Sequence, residues 1–372
     1  MLKAYYSKYK LVAAICSLII SLSVGELFLR TWVPQRTIPQ LKKQQLACYQ
    51  PSRDLPYELK PFCQGEYLTG GIDSHVRINS IGIRGDETGQ ESGKRILLIG
   101  DSFTFGYGVE EDQNIGSRLA DLTGQVVING GVWGFGPDAE FLMAKRLIPE
   151  VKPDAIVLLL FPANDLRDMA ETDWTVDQNE RLIRVTNDKF VDSEGFLRRD
   201  AVSIRYYIPI INQSHLAALV IDGAEKGFSV LRDWVFRILG VVVTHKEGPE
   251  IKGFDNGGDI DCLYDNKCNW LWLEARNKAE NIFTRFYDLS QQYALPIFVV
   301  IIPSEDQLSG VYPKVTIFHK LSEKIGFPLL DLADCLEASG YPISGLYLKD
   351  GHWSPIGNQV VAGEILKRFF RN

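Results

Sequence analysis

The stretch Ile96-Leu97-Leu98-Ile99-Gly100-Asp101-Ser102-Phe103 carries a serine out of an apolar run and past a glycine. A short apolar run bounded by a turn residue is typical of a buried strand. The serine therefore falls where such a strand ends. We interpret Ser102 as a candidate nucleophile, whose chemistry depends on what other segments bring to the same place.

Apolar runs of strand length alternate with helix-like segments on both sides of a long interruption. The predicted strands are residues 96–99, 126–128, 155–160, 297–302 and 329–332, and the predicted helices are 115–122, 138–147, 271–293, 315–325 and 356–370. Buried strands separated by helices are typical of a parallel sheet covered on both faces. The sequence therefore predicts an α/β fold, a three-layer α/β/α sandwich with about five parallel strands.

Residues 166–270 break this alternation, and we interpret them as an insertion in a domain of residues 91–372. The insertion contains a predicted hairpin near residues 182–197 and an apolar segment with helical spacing at 230–239. This helix either packs on the core or forms a lid or a membrane-surface helix. Insertions of this kind usually carry specificity.

Residues 11–29 are mostly apolar, follow three lysines in a short tail of residues 1–10, and just reach the length that spans a bilayer. This pattern predicts an uncleaved transmembrane helix. A cleaved signal peptide is the alternative, but no small-x-small cleavage site follows the apolar run. Basic residues flank both ends, so charge does not decide the topology. Glu26 is expected to be a boundary residue that reaches the interface.

Residues 30–90 contain five prolines and few apolar runs, which is typical of a stalk or a wrapping segment. Residues 76–84 alternate at the period of a strand before a turn. We call residues 30–90 the leader. We expect residues 76–84 of the leader to pack on the domain that follows.

Two pairs of cysteines are close enough in sequence to form short-range disulfides, Cys48 with Cys63 and Cys262 with Cys268. Disulfides would favour an oxidising compartment outside the cytoplasm, which in a bacterium is the periplasm. Four unrelated thiols remain the alternative. A zinc site is not expected, because no histidine has ligand spacing to these cysteines.

The composition limits the class of protein. The chain has 372 residues, 45% of them hydrophobic, which is enough for a sizeable core. Its net charge of −7 gives no support to binding of nucleic acid through phosphate neutralisation. No metal or cofactor is expected. The remaining cysteines, Cys16 and Cys335, are expected to be buried apolar residues.

Candidate partners for Ser102 follow two other predicted strands and precede the last helix. Gly134 and Asn164 come after strand ends, which meet at one edge of a parallel sheet. His352 is our candidate base, because a serine hydroxyl needs an imidazole to accept its proton. Asp350, two residues earlier, is expected to orient that ring and stabilise its charged form.

Three groups are candidates for an oxyanion hole: the Ser102 backbone N–H, the Gly134 backbone N–H and the Asn164 side-chain amide. A tetrahedral intermediate needs such donors, and each typically contributes about 100-fold to 1000-fold in rate. A glycine at position 134 also lets the backbone approach a substrate closely. The glycines around it lack the spacing of a phosphate loop or a dinucleotide site.

In their order along the chain, these segments resemble the SGNH/GDSL hydrolase superfamily. Gly100-Asp101-Ser102 matches the first block, Gly134 the second, Asn164-Asp165 the third, and Asp350 with His352 the fifth. The resemblance covers roughly residues 76–372 apart from the insertion. It implies a flavodoxin-like SGNH fold and a serine esterase or acyltransferase mechanism, with Ser102, Asp350 and His352 as a triad.

Three features refine the resemblance. The segment at 79–84, ahead of the first block, is similar to bacterial membrane-anchored members. Pro162 stands where the third block usually has glycine, and the fifth block reads Asp-x-His instead of Asp-x-x-His. A similar Asp-x-His-Trp-Ser run, present here at 350–354, occurs in SGNH-like proteins that acetylate exported polysaccharides.

These observations leave three functions open. The first is a membrane-anchored serine ester hydrolase that acts on small acyl esters, such as acetyl groups on glycans. The second is an O-acyltransferase of a cell-envelope or exported polysaccharide, because the same triad serves a sugar hydroxyl as acceptor. The third is a catalytically silent protein that binds glycans or acts as a scaffold. The expected partners are a small acyl ester or acylated glycan and the membrane.

Overall fold

A computed structural model describes residues 2–34, 46–69, 72–87, 93–171, 174–176, 182–184, 213–220, 270–310 and 316–371. The chain divides into two units, which are described separately. The first comprises Met1–Gln44 and Arg199–Glu250, and the second comprises Gln45–Arg198 and Ile251–Asn372. The predicted helix at 230–239 and the pair Cys262 and Cys268 lie outside the described residues.

Helix α1 (Leu2–Trp32) is the main described element of the first unit. Its Val12–Trp32 portion is long and apolar enough to cross a membrane, a test that a signal sequence also passes. Cys16 is exposed on this helix, so the prediction that it is buried was wrong. The reason is that the apolar side chains of α1 point outward with almost no protein packed around them.

Glu26 on α1 binds a segment of the insertion. Its carboxylate accepts hydrogen bonds from the backbone N–H groups of His215 and Leu216, at 3.0 and 2.8 Å, and from the Ser214 hydroxyl at 2.8 Å. Arg30, one turn along α1, donates to the same carboxylate at 2.7 Å. Glu26 is therefore a link between α1 and residues 214–216, beyond the boundary role that its position predicted.

The second unit contains all the described strands. They are β1 (Tyr49–Gln50), β2 (Glu58–Leu59), β3 (Gln64–Thr69), β4 (Ile72–Arg77), β5 (Arg95–Ile99), β6 (Val126–Asn129), β7 (Ala155–Leu160), β8 (Trp174–Val176), β9 (Leu182–Arg184), β10 (Ile297–Ile301) and β11 (Leu329–Asp331). The pairs β1–β2, β3–β4 and β8–β9 are antiparallel hairpins. The other five strands form one parallel sheet in the order β6-β5-β7-β10-β11.

Helices cover both faces of the sheet. They are α2 (Ser102–Phe105), α3 (Ile115–Thr123), α4 (Pro137–Val151), α5 (Pro162–Glu171), α6 (Trp270–Tyr293), α7 (Glu305–Leu308), α8 (Ile317–Ile325), α9 (Leu332–Glu337), α10 (Ile343–Leu346) and α11 (Pro355–Ile365), with a 3₁₀ turn at Glu111–Gln113 and a π-helical turn at Leu366–Phe370. Successive residues of β5 point to opposite faces, as the strand period requires. Leu97 and Ile99 join a core with α4, α6 and α8, while Ile96 and Leu98 join a second core with α3, α9 and α11. The predicted three-layer α/β/α fold is confirmed.

The sheet reverses its order between β5 and β7. Numbered along the chain, the strand order is 2-1-3-4-5, and ligands in such sheets collect at the carboxyl ends of the strands beside the reversal. Ser102 follows β5 and Asn164 follows β7. The topology therefore brings the first and third motif blocks to one crevice.

The leader packs on the core that contains α4 and α6. Leu46, Tyr49 and Leu59 are buried in that core, together with Val76 of β4. A disulfide joins Cys48 to Cys63, one of the two pairings predicted as possible.

Several local predictions differ from the structure. A hairpin is predicted near residues 182–197, whereas the described hairpin pairs β8 with β9 and so begins earlier in the chain. Residues 185–197 lie outside the described residues. The third block lies at the start of helix α5, because Pro162 favours the first turn of a helix, and α5 runs past the predicted start of the insertion. Cys335 was wrongly predicted to be buried; it is half-buried on α9, where its thiol donates to the Asp331 carbonyl.

Arg84 closes the leader onto the loop that follows α2. Its side chain is fully buried and donates to the carbonyl oxygens of Phe105, Gly106 and Val109, at 3.1, 2.6 and 2.7 Å. It also pairs with Glu111 at 2.9 Å. A single guanidinium thereby donates to three carbonyls at once and fixes the backbone after helix α2.

We expect Arg84→Met to lower the free energy of unfolding by about 3 kcal/mol, because it removes three hydrogen bonds to carbonyl oxygens and the ion pair with Glu111. Arg77→Met is the matched control, since this exposed arginine pairs only at the surface with Asp86 and such pairs contribute about 0–1 kcal/mol. Urea unfolding of the full chain in detergent measures both. Equal, small losses in the two variants would contradict the assigned role of Arg84.

Candidate active site

Ser102 begins helix α2 directly after β5. The Asp101 carboxylate caps this helix by accepting the Phe103 backbone N–H at 2.9 Å. Gly100 makes the turn possible, because a Cβ atom there would collide with the Thr104 side chain and lie 2.8 Å from the Leu159 carbonyl oxygen. The result is a serine that is 3% exposed, at the carboxyl edge of the sheet.

The structure brings His352 to Ser102. The Nε2 atom of His352 lies 2.8 Å from the Ser102 hydroxyl oxygen. A tight loop carries the histidine: Tyr347 and Trp353 form an antiparallel bridge at its ends, and the Leu348 N–H donates to the His352 carbonyl at 2.6 Å. The serine is thus placed to donate its proton to an imidazole.

Asp350 lies beside the other nitrogen of the same ring. Its Oδ1 atom is 3.4 Å from His352 Nδ1 and accepts the His352 backbone N–H at 3.2 Å. The 3.4 Å separation is an ion-pair distance, longer than a usual N–H···O hydrogen bond. Asp350 therefore restrains the loop that carries His352. It also places a negative charge beside Nδ1, the ring nitrogen that must carry a proton when Nε2 accepts one.

Asn164 is held by Asp101. The Asn164 Nδ2 atom donates to Asp101 Oδ2 at 3.2 Å, and the Asn164 Oδ1 atom is buried with no hydrogen-bond partner among the described residues. A side-chain amide has two N–H groups, so this bond occupies one and leaves the other for a ligand. The sequence analysis gave Asp101 no role, although it stands in the first motif block.

Gly134 occupies a turn that is tied to the nucleophile segment. The Phe135 N–H donates to the Val132 carbonyl at 3.2 Å, and Gly134 has a φ of 76°. These values define a type II turn with glycine at the position that requires a positive φ. The Val132 N–H donates to the Gly100 carbonyl at 3.1 Å, which joins this turn to the strand end before Ser102.

The backbone N–H groups of Ser102 and Gly134 have no hydrogen-bond acceptor among the described residues. Ser102 lies in the first turn of α2, where backbone N–H groups have no partner within the helix. Two of the three predicted oxyanion donors therefore have no acceptor within the described part of the chain. The third, the Asn164 amide, uses one N–H group for Asp101 and has a second N–H group for a ligand.

Aromatic rings surround His352. The ring of Tyr107 lies 4.7 Å from the imidazole and that of Phe103 lies 5.1 Å from it, between centroids. Trp133, which precedes Gly134, stacks on Tyr107 at 5.9 Å. These contacts restrict the imidazole and connect its loop to the Gly134 turn. The sequence analysis did not predict them, because ring contacts depend on side-chain directions that periodicity does not give.

Beneath the site, α4 and α5 bring several carboxyl groups together. We call Asp101, Asp138, Glu140, Asp165 and Asp168 the acid cluster. Both carboxyl oxygens of Glu140 are buried without a hydrogen-bond partner among the described residues. Gly136 allows this close approach, since a Cβ atom there would lie 3.2 Å from the Asp168 side chain.

Burial dominates the electrostatics of the acid cluster. Burial raises the pKa of Glu140 well above its ordinary value of 4.5, and repulsion from neighbouring acids adds to the rise. The pKa of Asp165 is raised well above its ordinary value for the same two reasons. Burial also raises the pKa of Asp101, while hydrogen bonds from Phe103 and Asn164 act in the opposite direction.

The other described histidines lie elsewhere. His75 is exposed and pairs with Glu110 at 3.1 Å, and His319 pairs with Asp331 at 2.9 Å. Among the described residues, no group of three or more His, Cys, Asp or Glu side chains is arranged so that it could hold a metal ion.

No family model and no curated protein sequence matches the chain. Similar solved structures include a protein described as lipolytic and of the G-D-S-L family from Desulfitobacterium hafniense, with 12% identity over 74% of this chain and 98% of that one, at a TM-score of 0.36. Another is the esterase EstA from Pseudoalteromonas sp., with 12% identity over 74% and 96% at 0.36. A third is the acetyl xylan esterase AlAXEase, with 13% identity over 74% and 100% at 0.36. These similar structures are described as a lipolytic protein of the G-D-S-L family and as esterases.

We expect Glu140→Gln to reduce the pH dependence of stability. An acid whose pKa is raised on folding contributes stability that is complete below its unfolded pKa and is lost as the pH rises through its folded pKa. The free energy of unfolding should therefore fall between about pH 5 and about pH 8, and fall less in the variant, which has no proton to lose there. Urea unfolding at the two pH values measures this difference.

The matched control for this measurement is Glu337→Gln, which changes an exposed glutamate on α9. It should reproduce the pH dependence of the unmodified protein. A Glu140→Gln variant with the same pH dependence as that control would contradict the raised pKa of Glu140.

Proposed function

We propose that the protein is a serine ester hydrolase that works through an acyl-enzyme. One observation carries the proposal: the Ser102 hydroxyl oxygen lies 2.8 Å from His352 Nε2. Unoccupied N–H donors at Ser102, Gly134 and Asn164 support it, because an acyl transfer develops negative charge that such donors stabilise.

In the first half of the reaction, the Ser102 oxygen attacks the carbonyl carbon of the ester while its proton passes to His352 Nε2. The carbonyl oxygen becomes an oxyanion, which accepts hydrogen bonds from the Ser102 and Gly134 backbone N–H groups and from the Asn164 amide. The bond between the carbonyl carbon and the alcohol oxygen then breaks. His352 returns its proton to the departing alcohol, and the acyl group stays on Ser102.

In the second half, water replaces the alcohol and the same groups act in reverse. His352 accepts a proton from the water, whose oxygen attacks the acyl carbon and forms a second tetrahedral oxyanion. The bond to Ser102 breaks, and His352 gives the proton back to the serine oxygen. The acid leaves, and Asp350 stabilises the imidazolium at each stage.

We propose acetyl esters, carried on glycans, as the substrates. The proposal extends the resemblance of the Asp-x-His-Trp-Ser run at 350–354 to proteins that acetylate exported polysaccharides. The same run favours a second function, transfer of the acetyl group to a glycan hydroxyl. The two reactions share the acyl-enzyme and differ only in whether water or a sugar hydroxyl attacks it.

We further propose that the protein is anchored in a membrane and acts outside the cytoplasm. The apolar helix α1 supports the anchor by its length and composition. The Cys48–Cys63 disulfide supports an oxidising compartment, such as the periplasm of a bacterium.

We expect Ser102→Ala to abolish hydrolysis of an activated acetyl ester and Asn164→Ala to lower kcat by about 100-fold to 1000-fold, through loss of one oxyanion donor. Steady-state release of acetate by the full chain in detergent measures both. Ser322→Ala is the matched control. It removes the hydroxyl of a buried serine on α8, and this hydroxyl has no hydrogen-bond partner among the described residues. This control should keep full activity.

Full activity in Ser102→Ala would contradict the proposed function. In the same assay, an added glycan that receives acetyl groups in place of free acetate would favour the transferase. Glycan binding without any turnover by the unmodified protein would favour the catalytically silent alternative.

A further inference from the structure

A tyrosine from the leader contacts the turn that carries Gly134. The Tyr57 hydroxyl donates to the carbonyl oxygen of Trp133 at 2.6 Å. Its ring packs on Phe135 at 5.2 Å, and only 7% of the residue is exposed. Tyr57 therefore contacts the residues on both sides of Gly134.

The carbonyl that accepts this bond belongs to the same peptide group as the Gly134 N–H. In a trans peptide the C=O and the N–H are coplanar and point in opposite directions. Fixing the Trp133 oxygen on the Tyr57 hydroxyl therefore fixes the direction of the Gly134 N–H, which points away from Tyr57. The hydrogen bond also polarises the peptide group, which strengthens its N–H as a donor.

The turn needs such a restraint because its central peptide group can rotate. In a type II turn that group is flipped relative to a type I turn, and glycine at the third position accommodates both forms. The φ of 76° at Gly134 shows the type II form. A rotation to the alternative form would move the Gly134 N–H away from its present direction and release the bond to Tyr57.

The leader holds Tyr57 in place from several sides. Tyr57 immediately precedes β2, which pairs with β1, and the ring of Tyr49 on β1 lies 5.6 Å from its own. The next residue, Glu58, pairs with Arg146 of α4 at 3.1 Å. The Cys48–Cys63 disulfide closes the segment that contains both strands.

We propose that Tyr57 is a positioning residue for the oxyanion hole, which aims the Gly134 N–H by holding the Trp133 carbonyl. This inference deepens the proposed function and depends on it. It assigns a role in the chemistry to the leader, which precedes the parallel sheet in the chain. The stacking of Trp133 on Tyr107, next to His352, places the restrained peptide beside the reacting groups.

The test is Tyr57→Phe in the full chain in detergent, which keeps the ring and removes the hydroxyl. Active sites are counted by complete reaction with a fluorophosphonate, and kcat is expressed per reactive site. We expect kcat to fall about 10-fold to 100-fold, because a displaced donor no longer meets the oxyanion. KM should change less than about twofold, because the ground-state ester gains little from this donor.

Ser290→Ala is the control. Ser290 is a buried residue of α6 whose hydroxyl also donates to a backbone carbonyl, that of Tyr287 at 2.7 Å, and it lies outside the candidate active site. Its kcat per reactive site should stay within about twofold of the unmodified protein. A purely structural effect of Tyr57→Phe would lower the number of reactive sites and leave kcat per site unchanged, which would overturn the proposal.

A second variant tests the leader as a whole. Cys48→Ser with Cys63→Ser loosens the segment that carries Tyr57 and should lower kcat per site, with little further loss when Tyr57→Phe is added. Equal losses in both backgrounds would show that the disulfide does not hold Tyr57 in place and would overturn the role assigned to the segment that it closes. Absence of turnover and labelling in the unmodified protein would instead contradict the proposed function itself.

Discussion

The hydrogen bond between the Ser102 hydroxyl and His352 Nε2 joins residues 250 positions apart. It forms only because the sheet reverses its strand order beside β5 and because the loop between Tyr347 and Trp353 returns the histidine to that edge. The glycine turn before Ser102, the ring of Tyr107 and the charge of Asp350 each hold one side of this pair. A small displacement of either residue would remove the proton transfer on which the proposed chemistry depends.

Two contacts restrain groups that we propose as oxyanion donors. Asp101 holds the Asn164 amide, and Tyr57 holds the peptide group of Gly134. The acid cluster below them contains Glu140, whose pKa is raised well above its ordinary value because burial disfavours the charged carboxylate. The site thus uses buried polar groups to orient backbone and amide donors, at the cost of a stability that depends on pH.

Much of this arrangement followed from local sequence patterns. The strand at Ala155–Leu160 was predicted with its observed bounds, because a fully apolar run between turn residues has few alternatives. The first and fifth motif blocks contain Ser102 and His352, which the structure brings within hydrogen-bond distance. The roles of Tyr57 and Asp101 were missed, since their partners Trp133 and Asn164 are 76 and 63 residues away, and such contacts leave no periodic signal. Cys16 was misjudged because an apolar span resembles a buried core segment in sequence.

The most direct test of the central claim is whether Ser102 is an activated nucleophile. The full chain in detergent would be treated with a fluorophosphonate and analysed by mass spectrometry after digestion, with Ser102→Ala and His352→Ala as controls. We expect one covalent adduct on Ser102, absent in Ser102→Ala and formed much more slowly in His352→Ala because no base accepts the serine proton. An unmodified Ser102 in the folded, disulfide-bonded protein would contradict it.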